Sequence, residues 1–143
     1  MNKKAYIVID NPTSSIIPLM NTFRDNQDYE ADMFVNNHEA KEIMDDNTLL
    51  VVVDTNKPSI TQCEDLLYMA KMIVVLDHHR QGSDTIRNSV LSYIEPYASS
   101  ASEMVAEILQ YFTEGIRIRN VEADSIYAGI MIDTDNFMQK TGV

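Results

Sequence analysis

Met72-Ile-Val-Val-Leu-Asp-His-His-Arg80 joins five apolar residues to an aspartate, two adjacent histidines and an arginine. A continuous apolar run of about five residues, rich in valine and isoleucine, has the pattern of a strand buried on both faces of a parallel sheet. Two further runs resemble it: Ala5 to Ile9, followed by Asp10, and Leu49 to Val53, followed by Asp54. The spacing between runs leaves room for crossover helices. Thr13 or Ser14 can cap a helix carrying Ile16, Ile17, Leu19, Met20 and Phe23, with Pro18 in its first turn or kinking it. Asn36 or Asn37 can cap a second through about Met44, and Gln62 to Ala70 forms a shorter third. The alternation predicts an α/β fold, an open and mostly parallel sheet flanked by helices.

Beyond Leu76 the stretch from Asp77 to Asp84 is polar, with Gly82 as a breaker, and Val90 to Ile94 reads as a further strand closed by Pro96. Two long helical patterns follow. Ser99, Ser100, Ser102 and Glu103 start and cap the first, which carries Met104, Val105, Ile108, Leu109 and Phe112 at helical spacing up to Gly115. The second begins near Val121 and carries Ala123, Ile126, Tyr127, Ile130 and Met131. Met104, Phe112, Tyr127 and Met131 are expected in the core.

A length of 143 residues suits one domain, and 45% hydrophobic residues excludes a disordered chain. With 11 basic against 22 acidic side chains the net charge is −11, which opposes long nucleic acid, since such binding rests on clustered lysine and arginine. No run approaches the roughly 20 apolar residues of a membrane span. Asp10 interrupts the first apolar run too early for a signal peptide. The single Cys63 cannot close an internal disulfide and reads as a small core residue in a reducing compartment. The expectation is a cytoplasmic segment without membrane contact.

In open α/β sheets ligands bind beyond the carboxyl ends of the strands. Asp54 and Asp77 fall at such ends; Asp10 does too, although an aspartate there reads first as a turn former. On a helical wheel Ile126, Ile130, Asp133 and Phe137 share a face, so Asp133 sits on the apolar side of its helix. A carboxylate buried there needs a cation, hydrogen-bond donors or a metal, unless it reaches solvent through a frayed helix end. Asp54, Asp77, His78 and Asp133 read as converging oxygen and nitrogen ligands for Mn²⁺, Mg²⁺ or a similar ion. The second imidazole or Arg80 is then free to meet a phosphate oxygen. Bound cations would also neutralise a phosphate-bearing substrate that so acidic a chain repels. His38, in Asn-Asn-His-Glu-Ala, reads as part of a helix start, and Arg117-Ile-Arg119 as a solvated loop.

Four stretches carry a resemblance: Val51-Val-Val-Asp-Thr-Asn-Lys-Pro-Ser59, Val74-Val-Leu-Asp-His-His-Arg80, Tyr93-Ile-Glu-Pro-Tyr-Ala-Ser-Ser-Ala-Ser-Glu103 and Gly129-Ile-Met-Ile-Asp-Thr-Asp-Asn-Phe137. In that order and spacing they resemble the DHH phosphoesterase superfamily. More closely, they look like the bacterial cyclic di-AMP phosphodiesterases that join membrane helices, a PAS domain and a degenerate GGDEF domain to a DHH/DHHA1 unit. The resemblance implies a DHH-type, Rossmann-like domain in a two-metal hydrolase. Such enzymes are usually Mn²⁺-dependent, with Mg²⁺ or Co²⁺ as substitutes, and open cyclic di-AMP to linear pApA. It implies Asp54 as the carboxylate bridging the metals, His78 as a ligand of one metal and Asp133 as the final carboxylate ligand. It further implies Asp77 as the acid that orients the adjacent histidine, with His79 and Arg80 facing the scissile phosphate.

The family's first motif, one histidine and two aspartates after its first strand, has no counterpart here. Asn2 to Asp10 resembles the family's second strand, and Lys140-Thr-Gly-Val143 stops short of the DHHA1 segment that helps bind substrate. Residues 1–143 are therefore expected to form a partial DHH domain, incomplete at its N-terminus, in a membrane-anchored parent with this domain on the cytoplasmic side. The isolated chain is expected to have negligible phosphodiesterase activity even in excess Mn²⁺. An absent strand would leave ladder groups open to pairing between chains, hence a homo-oligomer. The other readings are a DHH nuclease or phosphatase acting on short oligonucleotides or pApA, and a non-catalytic module that binds a metal or nucleotide.

Overall fold

The structure, a computed structural model, describes residues 3–112 and 115–140. Expectations placed on Asn2 and on residues 141–143 lie outside that range. In chain order the elements are β1 (Ile7–Val8), α1 (Ile17–Arg24), β2 (Phe34–Val35), α2 (Asn37–Ile43), β3 (Leu49–Val53), a 3₁₀ turn (Pro58–Ile60), α3 (Asp65–Met69), β4 (Met72–Asp77), β5 (Leu91–Ile94), α4 (Ala101–Phe112) and α5 (Asn120–Asp133). This is an α/β architecture, and every strand pair in it is parallel.

The expected single sheet is divided. β1 pairs with β2, while β3, β4 and β5 form a separate sheet in that order. β2 has no counterpart in the sequence reading, because two residues, Phe34 and Val35, carry no period. Their pairing shows in backbone bonds, with Ile7 N–H donating to Met33 O at 2.7 Å and Ile9 N–H to Val35 O at 2.9 Å. Packing joins the two sheets. Val35, Ala40 and Leu66 form a buried cluster against Val8 of one sheet and Leu50 of the other, with the half-buried Cys63 beside them.

Local chemistry accounts for most helix starts. Asn36 caps α2 through a reciprocal box: its Oδ1 accepts from Glu39 N–H at 3.0 Å while Glu39 Oε2 accepts from Asn36 N–H at 2.9 Å. His38 lies in the first turn of that helix and is exposed. Ser100 Oγ accepts from Glu103 N–H at 3.0 Å, and Glu103 Oε2 accepts from Ser99 N–H at 2.6 Å, so these residues start α4 as expected. At α1 the expected cap fails. Neither Thr13 nor Ser14 caps it by side chain; Ile16 precedes the helix and Pro18 sits in its first turn, where a missing N–H is harmless.

The core lies on one face of the larger sheet, where Val52, Leu67, Ile73, Val75 and Ile86 pack together. Ile73 is fully buried, so Ile73→Ala is expected to destabilise the chain by about 2–4 kcal/mol in a denaturant titration, from lost burial and a cavity that the ladder cannot close. The other face corrects the expectation of strands buried on both sides. Leu49, Val51 and Val53 are 52%, 48% and 50% exposed, as is Leu91 at 55%. The edge of β3 away from β4 has no partner strand among the described residues. A continuous apolar run signals two apolar faces but not whether both are covered. Phe112 and Tyr127 are also exposed, whereas Met104 is buried. α5 carries apolar residues on more than one side, so periodicity alone could not choose its inner face.

The passage from β4 to β5 sets the site's shape. Residues 78–90 cross between parallel strands without a helix. Their anchor is Ile86, buried in the core, with its N–H donating to Asn56 O at 2.9 Å. The loop thereby stays beside the carboxyl ends of β3 and β4.

Candidate metal centre

β3 and β4 run parallel and in register, Val53 opposite Leu76, so Asp54 and the Asp77-His78-His79 run leave the sheet at one edge. Asp54 N–H still donates to Leu76 O at 3.0 Å, and there the chain turns sharply: Asp54 has φ 63°, in the left-handed region. Aspartate is among the few non-glycine residues that visit this region readily. Asp133 arrives from the opposite side, as the last residue of α5. It is held by the packing of α5 on α4 and of α4 on β4.

These elements converge on one nitrogen. His78 Nε2 lies 3.3 Å from Asp54 Oδ1 and 3.7 Å from Asp133 Oδ2. The ring is buried and its Nδ1 stands 3.4 Å from Ala98 O, where an Nδ1–H would leave the Nε2 lone pair facing the two acids. His78 Nε2 is sealed from solvent and has no hydrogen-bond partner. A lone pair confronting carboxylate oxygens is repulsive unless something positive lies between them. A divalent cation with oxygen and imidazole ligands fits that requirement, and Asp54, His78 and Asp133 are the donors that would hold it. Desolvation first, and then the charge of Asp133, raises the Asp54 carboxyl above the usual aspartate range, against the opposing pull of His78 and His79.

His79 stands beside this group. Asp54, His78 and His79 are the one set of three acid, histidine or cysteine side chains, among the described residues, whose ligand atoms all lie within 4.8 Å of one another. The two imidazoles are 4.3 Å apart by ring centroids. Asp77 differs from its expected role. Its carboxylate, fully buried, meets His79 and not His78: Asp77 Oδ1 lies 2.7 Å from His79 Nδ1 and accepts from His79 N–H at 3.1 Å. Adjacent residues at a strand end face opposite ways, so the acid at 77 reaches the residue two positions on and leaves the His78 ring to Ala98 O. Arg80 is exposed beyond the pair.

Sequence reasoning missed Asn56. It is buried, and its Nδ2 donates to Asp77 Oδ2 at 2.5 Å and to His79 O at 3.2 Å. A polar residue two positions after a strand-end aspartate looks like loop, and nothing in its spacing announced burial. Asp10 does the work of a turn residue, accepting from Asn11 Nδ2 at 2.8 Å and from Asn37 N–H at 3.5 Å. The stretch 116–119 is exposed, as expected for a solvated loop, and Arg119 there lies over the Tyr29 ring at 5.0 Å. Among the described residues no helix is long and apolar enough to cross a membrane.

Comparison with known proteins places this geometry. The chain is 43% identical over 143 residues to the cyclic-di-AMP phosphodiesterase GdpP of Bacillus subtilis, covering 99% of this chain and 22% of that protein. It is 36% identical over 143 residues to the cyclic-di-AMP phosphodiesterase PdeA of Listeria monocytogenes, again covering 99% and 22%. The chain thus spans about a fifth of the length of these relatives. A crystal structure of an exopolyphosphatase-related protein from Bacteroides fragilis superposes with a TM-score of 0.73 at 20% identity, over 96% of this chain and 39% of that one, and shares its fold. Residues 6–130 match the DHH family, N-terminal domain. That span runs from β1 into α5 and takes in Asp54 and the His78-His79 pair, and the chain therefore belongs to the DHH family.

Proposed function

We propose that residues 1–143 form part of the catalytic domain of a metal-dependent phosphodiesterase that hydrolyses cyclic di-AMP to linear pApA. The observation that carries this reading is the buried, unpartnered His78 Nε2 lying between the carboxylates of Asp54 and Asp133. Membership of the DHH family supports a phosphoesterase reaction, and the likeness to two cyclic-di-AMP phosphodiesterases favours that dinucleotide as the substrate.

In this reading Asp54, His78 and Asp133 would hold a divalent cation, Mn²⁺ before Mg²⁺ or Co²⁺, with the Asp54 carboxylate able to serve two cations if a second is bound. Bound there, the cations would polarise a phosphoryl oxygen and lower the pKa of an attacking water. Ala98 O, 3.4 Å from His78 Nδ1, favours the tautomer that turns the Nε2 lone pair toward the cation. His79, held at Nδ1 by Asp77, would donate to a phosphate oxygen through Nε2 once that nitrogen carries a proton. Arg80, exposed past the pair, adds positive charge at the mouth of a chain whose net charge is −11. Among the described residues Asp54, His78 and His79 are the one group of three donors with ligand atoms within 4.8 Å of one another, which supports one cation position and not two in this chain. The isolated chain accordingly binds nucleotide but turns it over negligibly, and activity belongs to the longer protein, anchored in a membrane with this domain in the cytoplasm.

Incubation of the purified chain with cyclic di-AMP and Mn²⁺ tests both parts. The expected result is Mn²⁺-dependent binding of the dinucleotide, lost in His78→Ala, with little pApA formed. Turnover abolished by Asp54→Ala would show that the chain is a complete enzyme and overturn the second part. Binding that ignores Mn²⁺ and survives His78→Ala would overturn the first.

A further inference from the structure

We infer that Asn56 is a positioning residue for His79, acting through Asp77. Asp77 is fully buried, and a carboxylate sealed from water must have its lone pairs satisfied. Its Oδ1 faces His79 Nδ1 at 2.7 Å and His79 N–H at 3.1 Å; its Oδ2 accepts from Asn56 Nδ2 at 2.5 Å. The same Asn56 amide donates to His79 O at 3.2 Å. One buried amide therefore grips both ends of the unit that sets the His79 ring, the carboxylate at its Nδ1 and the carbonyl of its own backbone. Without that grip the Asp77 carboxylate could swing away from His79 Nδ1.

The backbone explains how Asn56 reaches this position. The left-handed turn at Asp54 folds the chain back under the end of β4, and Asn56 O is fastened by Ile86 N–H at 2.9 Å. Asn56 is only 2% exposed, and its Oδ1 is buried without a hydrogen-bond partner. A buried amide with one end left unsatisfied is destabilising. An apolar residue would fill the space without that penalty, so the work of Asn56 lies in its donor end. With Nδ1–H committed to Asp77, the His79 nitrogen left with a lone pair is Nε2, the atom offered to a ligand beside Asp54 and His78.

The inference rests on reading this cluster as the functional site, but its test needs neither cation nor substrate. Nitrogen-15 spectra of the imidazole rings, taken on the metal-free chain at alkaline pH, report which nitrogen carries the proton. In the unsubstituted chain His79 is expected as the Nδ1–H tautomer, by roughly tenfold to a hundredfold, the preference conferred by a hydrogen bond to a charged group. Asn56→Ala and the more conservative Asn56→Ser are expected to behave differently. The alanine variant should bring the His79 tautomer ratio toward that of free imidazole, and the serine variant, which keeps a donor, should restore part of the preference. The His78 ring signals should stay unchanged in both. A loss of stability alone would leave the His79 ratio where it was and would overturn the inference. So would an Nε2–H tautomer in the unsubstituted chain, a result that requires no variant to fold. Failure of this test would leave cation binding at His78 intact, and failure of cation binding would leave the tautomer result intact.

Discussion

Mn²⁺ is expected to raise the melting temperature of the chain by roughly 5–10 °C at about a hundredfold excess over its dissociation constant, and this rise is expected to vanish in His78→Ala and in Asp54→Ala. A ligand that binds only the folded state stabilises it by about 2.7 kcal/mol at that excess, and a chain of this length converts each kcal/mol into a few degrees. The variants should lose affinity by more than about a hundredfold, beyond what removal of a supporting residue costs. Calorimetry of Mn²⁺ binding gives the affinity directly, and His38→Ala serves as a control, because His38 is exposed on α2.

The metal-free chain should respond in the opposite sense. His78 Nε2 is buried without a partner, so His78→Leu removes an unsatisfied polar atom and should leave metal-free stability unchanged or slightly raised. Melting curves with and without Mn²⁺ separate the two effects, and a His78→Leu chain that melts far lower in both conditions would count against the ligand role. The acid side of the site adds a pH dependence. Asp54 is held above its ordinary range, so the folded metal-free chain binds its proton more tightly than the unfolded chain. Stability from this group therefore falls as pH rises from the ordinary aspartate value through the raised one, and the proton competes with the cation at higher pH than an ordinary aspartate would allow. Asp133→Asn removes the second cause of the shift and should flatten that slope.

Gly129→Ala is expected to destabilise the chain by about 1–3 kcal/mol and to weaken Mn²⁺ binding as well. A Cβ at Gly129 would stand 2.0 Å from Ser102 Oγ and 2.9 Å from Ser102 Cβ. The hydroxyl could rotate away, but the Cβ could not, so α4 and α5 would have to separate. Asp133 is one turn further along α5, and its 3.7 Å approach to His78 depends on that helix contact. Ser102→Gly removes both clashing atoms, so the double variant should recover binding that Gly129→Ala loses, a coupling measurable in a double-mutant cycle. Full additivity of the two substitutions would mean that the helix contact does not set the position of Asp133.

The parts of the site readable in the sequence were those attached to a strong local pattern. Asp54 and Asp77 follow apolar strand runs, and His78 and His79 follow Asp77, so their place at a sheet edge came with the strands. Asp133 was readable because one acid interrupted an apolar helix face. Asn56 was not, since its burial comes from the left-handed turn at Asp54 and from the cover of Ile86, a residue thirty positions on. The partner of Asp77 was not readable either. Adjacency favoured His78, and the geometry of a strand end gave the contact to His79.

The strand runs of β1, β3, β4 and β5, their parallel character and the helix starts at Asn36 and Ser100 follow from the sequence by itself, because they depend on period, propensity and side-chain caps within a few residues. The tertiary structure alone decided the split into two sheets, the pairing of β2, the exposed face of β3, the outward turn of Phe112 and Tyr127, and the contact of Asp77 with His79 and Asn56. Each of these depends on which distant element covers a surface, and local periodicity carries no information about that partner.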